Sequence, residues 1–164
     1  MLFASSGKVV RFKEDDVRAM GRTARGVRGI RMADDQRVIS LIIPQSSARI
    51  LTVSENGYGK RSEVEEFPVY GRGSQGVIAM QCSERNGQLI AAVQVQDGYQ
   101  IMLISDQGTL VRTRTDEISV LGRNTQGVRL IKLREGERLV GVATIQESES
   151  DAEEGDDAGD APAE

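Results

Sequence analysis

The chain has no histidine and no tryptophan, one cysteine, three phenylalanines and three tyrosines in 164 residues. Without His the commonest general base and metal ligand is missing, and neither a Ser-His-Asp nor a Cys-His arrangement can be built. A single thiol, Cys82, excludes an internal disulfide and a local zinc cluster and fits a reducing, cytoplasmic setting. No stretch approaches the ~20 apolar residues of a membrane span, and Met1-Leu2-Phe3-Ala4 lacks the basic region and apolar run of a signal peptide. A soluble chain that stays where it is made is expected. With aromatics at 4%, small aliphatic side chains must fill the core, which suits thin sheets better than a bulky globule.

Basic residues are wholly missing from residues 147–164, which hold nine of the 25 acids. The remaining body, 1–146, carries 21 basic and 16 acidic groups, a net of +5 beneath the formal −4 of the whole chain. An acidic segment without large apolar residues cannot offset its ordering entropy by burial, so 147–164 is expected to be a disordered tail. It either serves solubility or folds back over the basic body and competes with an anionic partner.

What is present is a period. The frame Gly-Arg, three free positions, Gly-Val occurs at 21–27, 71–77 and 122–128, spaced by 50 and 51 residues, the range of a propeller blade or similar repeat. Gly7, Gly57 and Gly108 each stand 14 residues before their box, and Arg11, Arg61 and Arg112 coincide in that register. Units of about 1–46, 47–97 and 98–146 follow. Each unit divides into four short segments of strand character. An apolar strand (2–4, 50–53, 101–104) leads through a Gly hairpin turn to a strand mixing β-branched and basic residues (8–13, 109–114). An acidic turn, Asp15-Asp16, Glu65-Glu66 or Asp116-Glu117, precedes the box. A third strand (127–133 in the last unit) places Ile131 and Leu133 opposite Lys132, and a nearly continuous apolar run (38–43, 89–95, 139–145) predicts a fourth strand covered on both faces. Four antiparallel strands per unit and no 3.6-residue periodicity predict an all-β array of four-stranded blades. Met1 aligns with Leu51 and Met102 in mid-strand, which predicts the back part of a longer array.

Catalytic readings fail residue by residue. The paired carboxylates recur at one place in every unit and read as turns. Residues 54–61 lack the first Gly and the Ser/Thr of a phosphate-binding loop and read as a hairpin. Cys82 aligns with Met32 and Leu133 and reads as a small buried hydrophobe. Positive charge is what repeats. Arg22, Arg72 and Arg123 sit in the boxes and Arg11, Arg61 and Arg112 in the second strands. Lys8, Lys13, Arg25, Arg28, Arg31, Lys60, Arg114, Arg129 and Lys132 fall close to them. A periodic row of guanidinium groups matches a polyanion of regular charge spacing, since Arg binds phosphate oxygens bidentately. The other reading of the box arginines is as struts to a neighbouring unit's acidic turn. With no recognition helix and few aromatics for stacking, contact with the backbone of duplex nucleic acid is the expectation.

The boxes, with Gly-Lys-Val-Val-Arg-Phe at 7–12, Asn-Gly-Tyr-Gly-Lys-Arg at 56–61 and Gly-Thr-Leu-Val-Arg-Thr-Arg at 108–114, resemble the C-terminal domain of the DNA gyrase A subunit over residues 1 to about 146. That resemblance implies a β-pinwheel, a six-bladed propeller-like disc in which neighbouring blades exchange a strand, of which this chain holds the last three blades and tail. It implies duplex DNA bent around a basic outer rim that includes the residues named above. By the same resemblance the chain acts in a heterotetramer with the rest of the gyrase A subunit, joined there by the B subunit. It supports ATP-dependent negative supercoiling and is cytoplasmic and nucleoid-associated. No cofactor, metal or membrane is implied. The Gln-Arg-Arg-Gly-Gly-Lys-Gly element of the family's first blade is absent, as is the breakage-reunion region with its catalytic Tyr, so no catalysis by the chain alone is expected. The C-terminal domain of the topoisomerase IV A subunit is one alternative, and a propeller-type protein-interaction module is the other.

Overall fold

The computed structural model describes residues 1–146; the expected disordered tail, 147–164, lies outside the described residues. Eleven short strands form three antiparallel sheets. The first has the order β3 (Val38–Leu41), β1 (Leu2–Ala4), β2 (Lys8–Val10), β6 (Val77–Ile78). The second runs β10 (Val128–Arg129), β5 (Tyr58–Glu63), β4 (Arg49–Ser54), β7 (Leu89–Val95). The third has β11 (Leu139–Ile145), β8 (Gln100–Ser105) and β9 (Leu110–Arg114). This is the all-β, blade-like architecture that the sequence predicts.

The hairpins arise where the sequence puts Gly. Gly7, Gly57 and Gly108 adopt φ of 82°, 86° and 81° and donate their N–H back to Ala4, Ser54 and Ser105, a left-handed conformation that a Cβ would disfavour. The acidic stretches form single 3-10 turns at Glu14–Asp16, Val64–Glu66 and Thr115–Glu117.

The sheets do not coincide with the sequence units. β6 belongs to the second unit but pairs with β2 of the first, Val77 opposite Val9 and Ile78 opposite Lys8. β10 of the third unit pairs with β5 of the second, Val128 opposite Gly59 and Arg129 opposite Tyr58. The second and third boxes thus each deliver a strand to the preceding sheet, and the box glycine makes that possible. A Cβ on Gly76 would stand 2.2 Å from the Val9 carbonyl oxygen, and one on Gly127 2.7 Å from that of Gly59, closer than real contacts allow. The third segment is correspondingly shorter as a strand than the sequence predicts, two paired residues instead of seven. The remainder crosses between blades, and Ile131 and Leu133 pack into the core while Lys132 stays exposed.

Two cores lie between successive sheets. Phe3 and Val9 meet Tyr58, Val64, Phe67 and Met80 in one, with the Phe3 and Phe67 rings edge to face at 6.3 Å. Leu51 and Val53 meet Ile101, Leu103, Ile118 and Leu139 in the other, an entirely aliphatic filling. Cys82 is half-buried beside the first core, where burial raises its thiol pKa. The fourth strands depart from the expectation of cover on both faces. β7 is sandwiched, but β3 and β11 expose Val38, Leu41 and Val140, because each of them has a neighbouring blade on one side only.

Candidate nucleic-acid interface

β7 packs beside both β3 and β11, so the fourth strands run along one side of the array. The exchanged strands β6 and β10 stand at the far end of their sheets, on the opposite edge. The three box segments succeed one another along that edge. Gly73 donates its N–H to the Gly29 carbonyl at 2.6 Å and Arg31 donates to Ser74 at 2.8 Å, which lays the first segment beside the second. Gln81 donates to the Thr125 carbonyl at 3.0 Å and joins the second to the third. Residues 21–32, 71–82 and 122–133 carry eight basic side chains and no acid. None of the eight is in an ion pair with another described residue. The acids of the body lie outside these segments: in β5 (Glu63), in the 3-10 turns, in the hairpin turns (Glu55, Asp106), between β7 and β8 (Asp97) and in the turns that lead to the fourth strands.

Arg22, Arg25, Arg28, Arg31, Arg72, Arg129 and Lys132 are exposed on this edge and Arg123 is half-buried. Two box arginines also tie their box to the unit before. Arg72 donates through Nε to the Asp16 carbonyl at 2.8 Å and through Nη1 to that of Arg28 at 3.2 Å; Arg123 donates through Nη1 to the Ile78 carbonyl at 3.0 Å. The strut reading of the box arginines holds in altered form: the Arg72 and Arg123 guanidinium groups reach main-chain carbonyls of the preceding unit, and the acidic turn meets the box through the Arg123 main-chain N–H, which donates to Glu66 Oε2 at 2.8 Å.

Near the last box, Tyr58 lies between two guanidinium groups, Arg85 5.1 Å and Arg129 5.5 Å from its ring centre. Its hydroxyl accepts from Arg129 Nη2 at 2.9 Å and Arg85 Nε at 3.4 Å, and these bonds, that of Arg129 first, hold the phenol below its ordinary pKa. A shallow cavity of about 380 Å³ opens there, lined also by Lys132 and Arg134. Arg85 has no counterpart in the repeat, since Asp35 and Gly136 stand in its register position. Periodicity alone does not reveal it.

Three expected contact residues are placed elsewhere, and the outward-facing reading is corrected for them. Lys60 is 0% exposed, its Nζ donating to the Gly122 and Arg123 carbonyls, and burial lowers its pKa to about 8. Arg61, 6% exposed, donates through Nε to the Ile118 carbonyl at 2.8 Å and through Nη1 to Asp97 at 2.8 Å. Arg11, half-buried, repeats the pattern one blade earlier, its Nη1 donating to the Val64 and Phe67 carbonyls at 2.9 Å. The reason is common to all three. Each sits in or directly after a second strand whose next neighbour in space is the following blade, and the 3-10 turn and box of that blade present carbonyls that an Arg or Lys must satisfy. Lys8 is half-buried, and Lys13, Arg112 and Arg114 are exposed. Arg112 donates through Nε to Gln100 on the adjoining strand, and Arg114 lies 3.5 Å from Asp116.

Such an edge can bind a polyanion: it offers guanidinium groups in succession, and a carboxylate that reaches it, Glu66 Oε2, accepts the main-chain N–H of Arg123 at 2.8 Å and not a guanidinium. Among the described residues no cluster of three His, Cys, Asp or Glu is arranged to hold a metal, and no helix is long and apolar enough to cross a membrane.

The sequence matches the family described as DNA gyrase C-terminal domain, beta-propeller, over residues 1–45, 48–96 and 99–146. It is 62% identical to the DNA gyrase A subunit of Pseudomonas aeruginosa over 162 residues, covering 96% of this chain and 18% of that protein. A solved DNA gyrase A C-terminal domain superposes with a TM-score of 0.80 at 25% identity, covering 88% of this chain and 50% of that one. The C-terminal domain of DNA topoisomerase IV superposes at 0.81 with 22% identity, covering 88% and 46%, a likeness of fold. The chain thus spans under a fifth of the length of its curated relative.

Proposed function

The chain belongs to the family of DNA gyrase C-terminal domains, and from that premise we propose that it binds duplex DNA along its box edge and bends it there as part of a gyrase A subunit. The observation that carries this is the edge itself, three successive box segments whose sequence holds eight basic residues and no acid, none of the eight being in an ion pair with another described residue. Contacts go to phosphates, and any sequence preference comes from the cost of bending the DNA. Held against a cleavage gate by the rest of the gyrase A subunit, together with the B subunit, such a wrap fixes the handedness of the crossing and so serves ATP-driven negative supercoiling. The chain itself cleaves no DNA, and its place is the cytoplasm, at the nucleoid. The units are 1–46, 47–97 and 98–146, with 147–164 as a separate acidic tail. The 62% identity to a gyrase protein favours gyrase over topoisomerase IV.

The test is the salt dependence of binding to a short duplex. With about six phosphates neutralised, the log-log slope is roughly −5. A slope near zero rejects the proposal.

A further inference from the structure

The junction between the second and third blades differs in charge from the junction before it. Where β6 meets β2, Ile78 faces Lys8, and where β10 meets β5, Arg129 faces Tyr58. In the repeat register Tyr58, Arg85, Arg129, Lys132 and Arg134 correspond to Lys8, Asp35, Ile78, Gln81 and Ser83. The later set holds four cations and no acid, the earlier one cation and one acid. We propose that Tyr58, Arg85 and Arg129 form a clamp for one backbone phosphate of the duplex, so that the DNA is anchored at this junction. This rests on the DNA-binding reading of the box edge, to which it adds Tyr58 and Arg85 as contact residues.

Tyr58 is 4% exposed and belongs to the core between the first two sheets, yet it also lines the open cavity of about 380 Å³. The Arg85 and Arg129 guanidinium groups lie 5.1 Å and 5.5 Å from the centre of its ring. The hydroxyl accepts from Arg129 Nη2 at 2.9 Å and from Arg85 Nε at 3.4 Å and donates to no described residue. Both of its lone pairs are therefore taken, and its O–H is left for a ligand. Each guanidinium spends one N–H on the hydroxyl and makes no other hydrogen bond to a described residue, which leaves four of its five donors. A phosphate in the cavity would accept the phenol O–H through one oxygen and guanidinium N–H groups through the others, all of them charge-assisted bonds.

The donors are held in place before a ligand arrives. Arg85 is exposed, but Asn56 of the hairpin turn donates through Nδ2 to the Glu84 and Arg85 carbonyls, both at 3.2 Å. The next residue, Asn86, is 0% exposed; it accepts the Ser83 N–H at 2.7 Å and donates to the Gln81 and Gln126 carbonyls at 2.6 Å and 3.3 Å. The turn that carries Arg85 is thus fastened to the hairpin and to two boxes, and the Tyr58 ring fixes the guanidinium planes. Such preorganisation lowers the ordering cost of binding. Neither Arg85 nor Arg129 is in an ion pair with a described residue. The acid that lines the cavity, Glu137, is engaged within its own blade, where it accepts from the Ser105 hydroxyl at 2.5 Å and the Arg134 N–H at 2.9 Å. Lys132 and Arg134, both exposed, add positive charge to the cavity lining.

The test is fluorescence anisotropy of a short labelled duplex titrated with the full 164-residue chain, each variant first verified as folded by urea unfolding. Arg85→Gln should weaken binding about tenfold at fixed salt and make the log-log salt slope shallower by about one. Tyr58→Phe keeps the ring beneath the guanidinium groups and removes the hydroxyl alone. It should weaken binding about threefold to fivefold and leave the slope unchanged, because the lost donor is neutral. Since both side chains hold one phosphate, the double variant should lose less than the product of the single losses, by a factor of about two or more. Arg85→Lys should restore the slope without restoring the full affinity, because an ammonium group keeps the charge but not the planar fork. A wild-type slope near zero rejects the DNA reading as a whole. A steep wild-type slope with Arg85→Gln and Tyr58→Phe binding as the wild type does overturns the clamp alone, as do losses that simply multiply in the double variant.

Discussion

Arg61 donates through Nε to the main-chain carbonyl of Ile118 at 2.8 Å, a bond that fastens the second blade to the third. Arg11 makes the corresponding reach from the first blade to the second, onto Val64 and Phe67. Two of the three arginines at the second-strand position therefore hold the array together, while seven exposed basic residues lie in the box segments. The two groups of arginines are expected to respond to mutation in opposite ways.

Arg61→Ala removes the donor from a buried carbonyl and ends the ion pair with Asp97. A loss of about 2–3 kcal/mol of stability is expected, because a buried acceptor is left unmade. Urea unfolding reads this directly, and a midpoint equal to that of the wild type would refute the strut assignment.

Arg25→Gln with Arg28→Gln, on the exposed box edge, should leave stability within about 0.5 kcal/mol. Binding to duplex DNA should weaken, with the salt slope shallower by about 2, near one unit for each phosphate no longer neutralised. An unchanged slope would place the DNA elsewhere.

Lys60 gives the protein an alkaline signature. Its folded pKa, about 8, is below the ordinary 10.5, so between those values the unfolded chain holds more protons than the folded one. Its charge therefore opposes folding at pH below about 8, and that penalty fades as pH rises from about 8 to 10.5. Wild-type stability should accordingly gain on the order of 1–3 kcal/mol, relative to Lys60→Met, across that window. Parallel curves of unfolding free energy against pH would show that Lys60 keeps an ordinary pKa.

Gly127→Ala and Gly26→Ala separate the cost of backbone conformation from the cost of close approach. Both positions have positive φ, worth about 1 kcal/mol for an L residue. Only at 127 would the new methyl stand 2.7 Å from the Gly59 carbonyl oxygen. The variant at 127 should be the less stable by about 1–3 kcal/mol. Thermal melts make the comparison, and equal melting points would count against strand exchange at the box.

The hairpin glycines, the acidic turns and the box were all legible, because each depends on residues adjacent in the sequence: a positive φ needs Gly7 or Gly57, and a one-turn stop falls at Asp15-Asp16. Period-two alternation told which face of a strand Ile131 and Leu133 occupy. It carried no information on which sheet receives the strand, since Val128 would alternate identically beside its own unit. Lys60 and Arg61 were misplaced for the same reason. Their burial is imposed by carbonyls of Gly122 and Ile118, some sixty residues away, and a basic residue on a strand reads as solvent-facing until its neighbour is known. Arg85 eluded the repeat because only one unit has it.

Strand exchange also orders events during synthesis. The sheet built on β1, β2 and β3 has all its own strands once Leu41 has been made, yet its last strand is β6, which ends at Ile78. At about 5–20 residues per second the ribosome needs roughly 2–7 s to cover that interval. For those seconds the nascent first blade presents a bare β2 edge, and the second blade inherits the same delay from the third, which supplies β10.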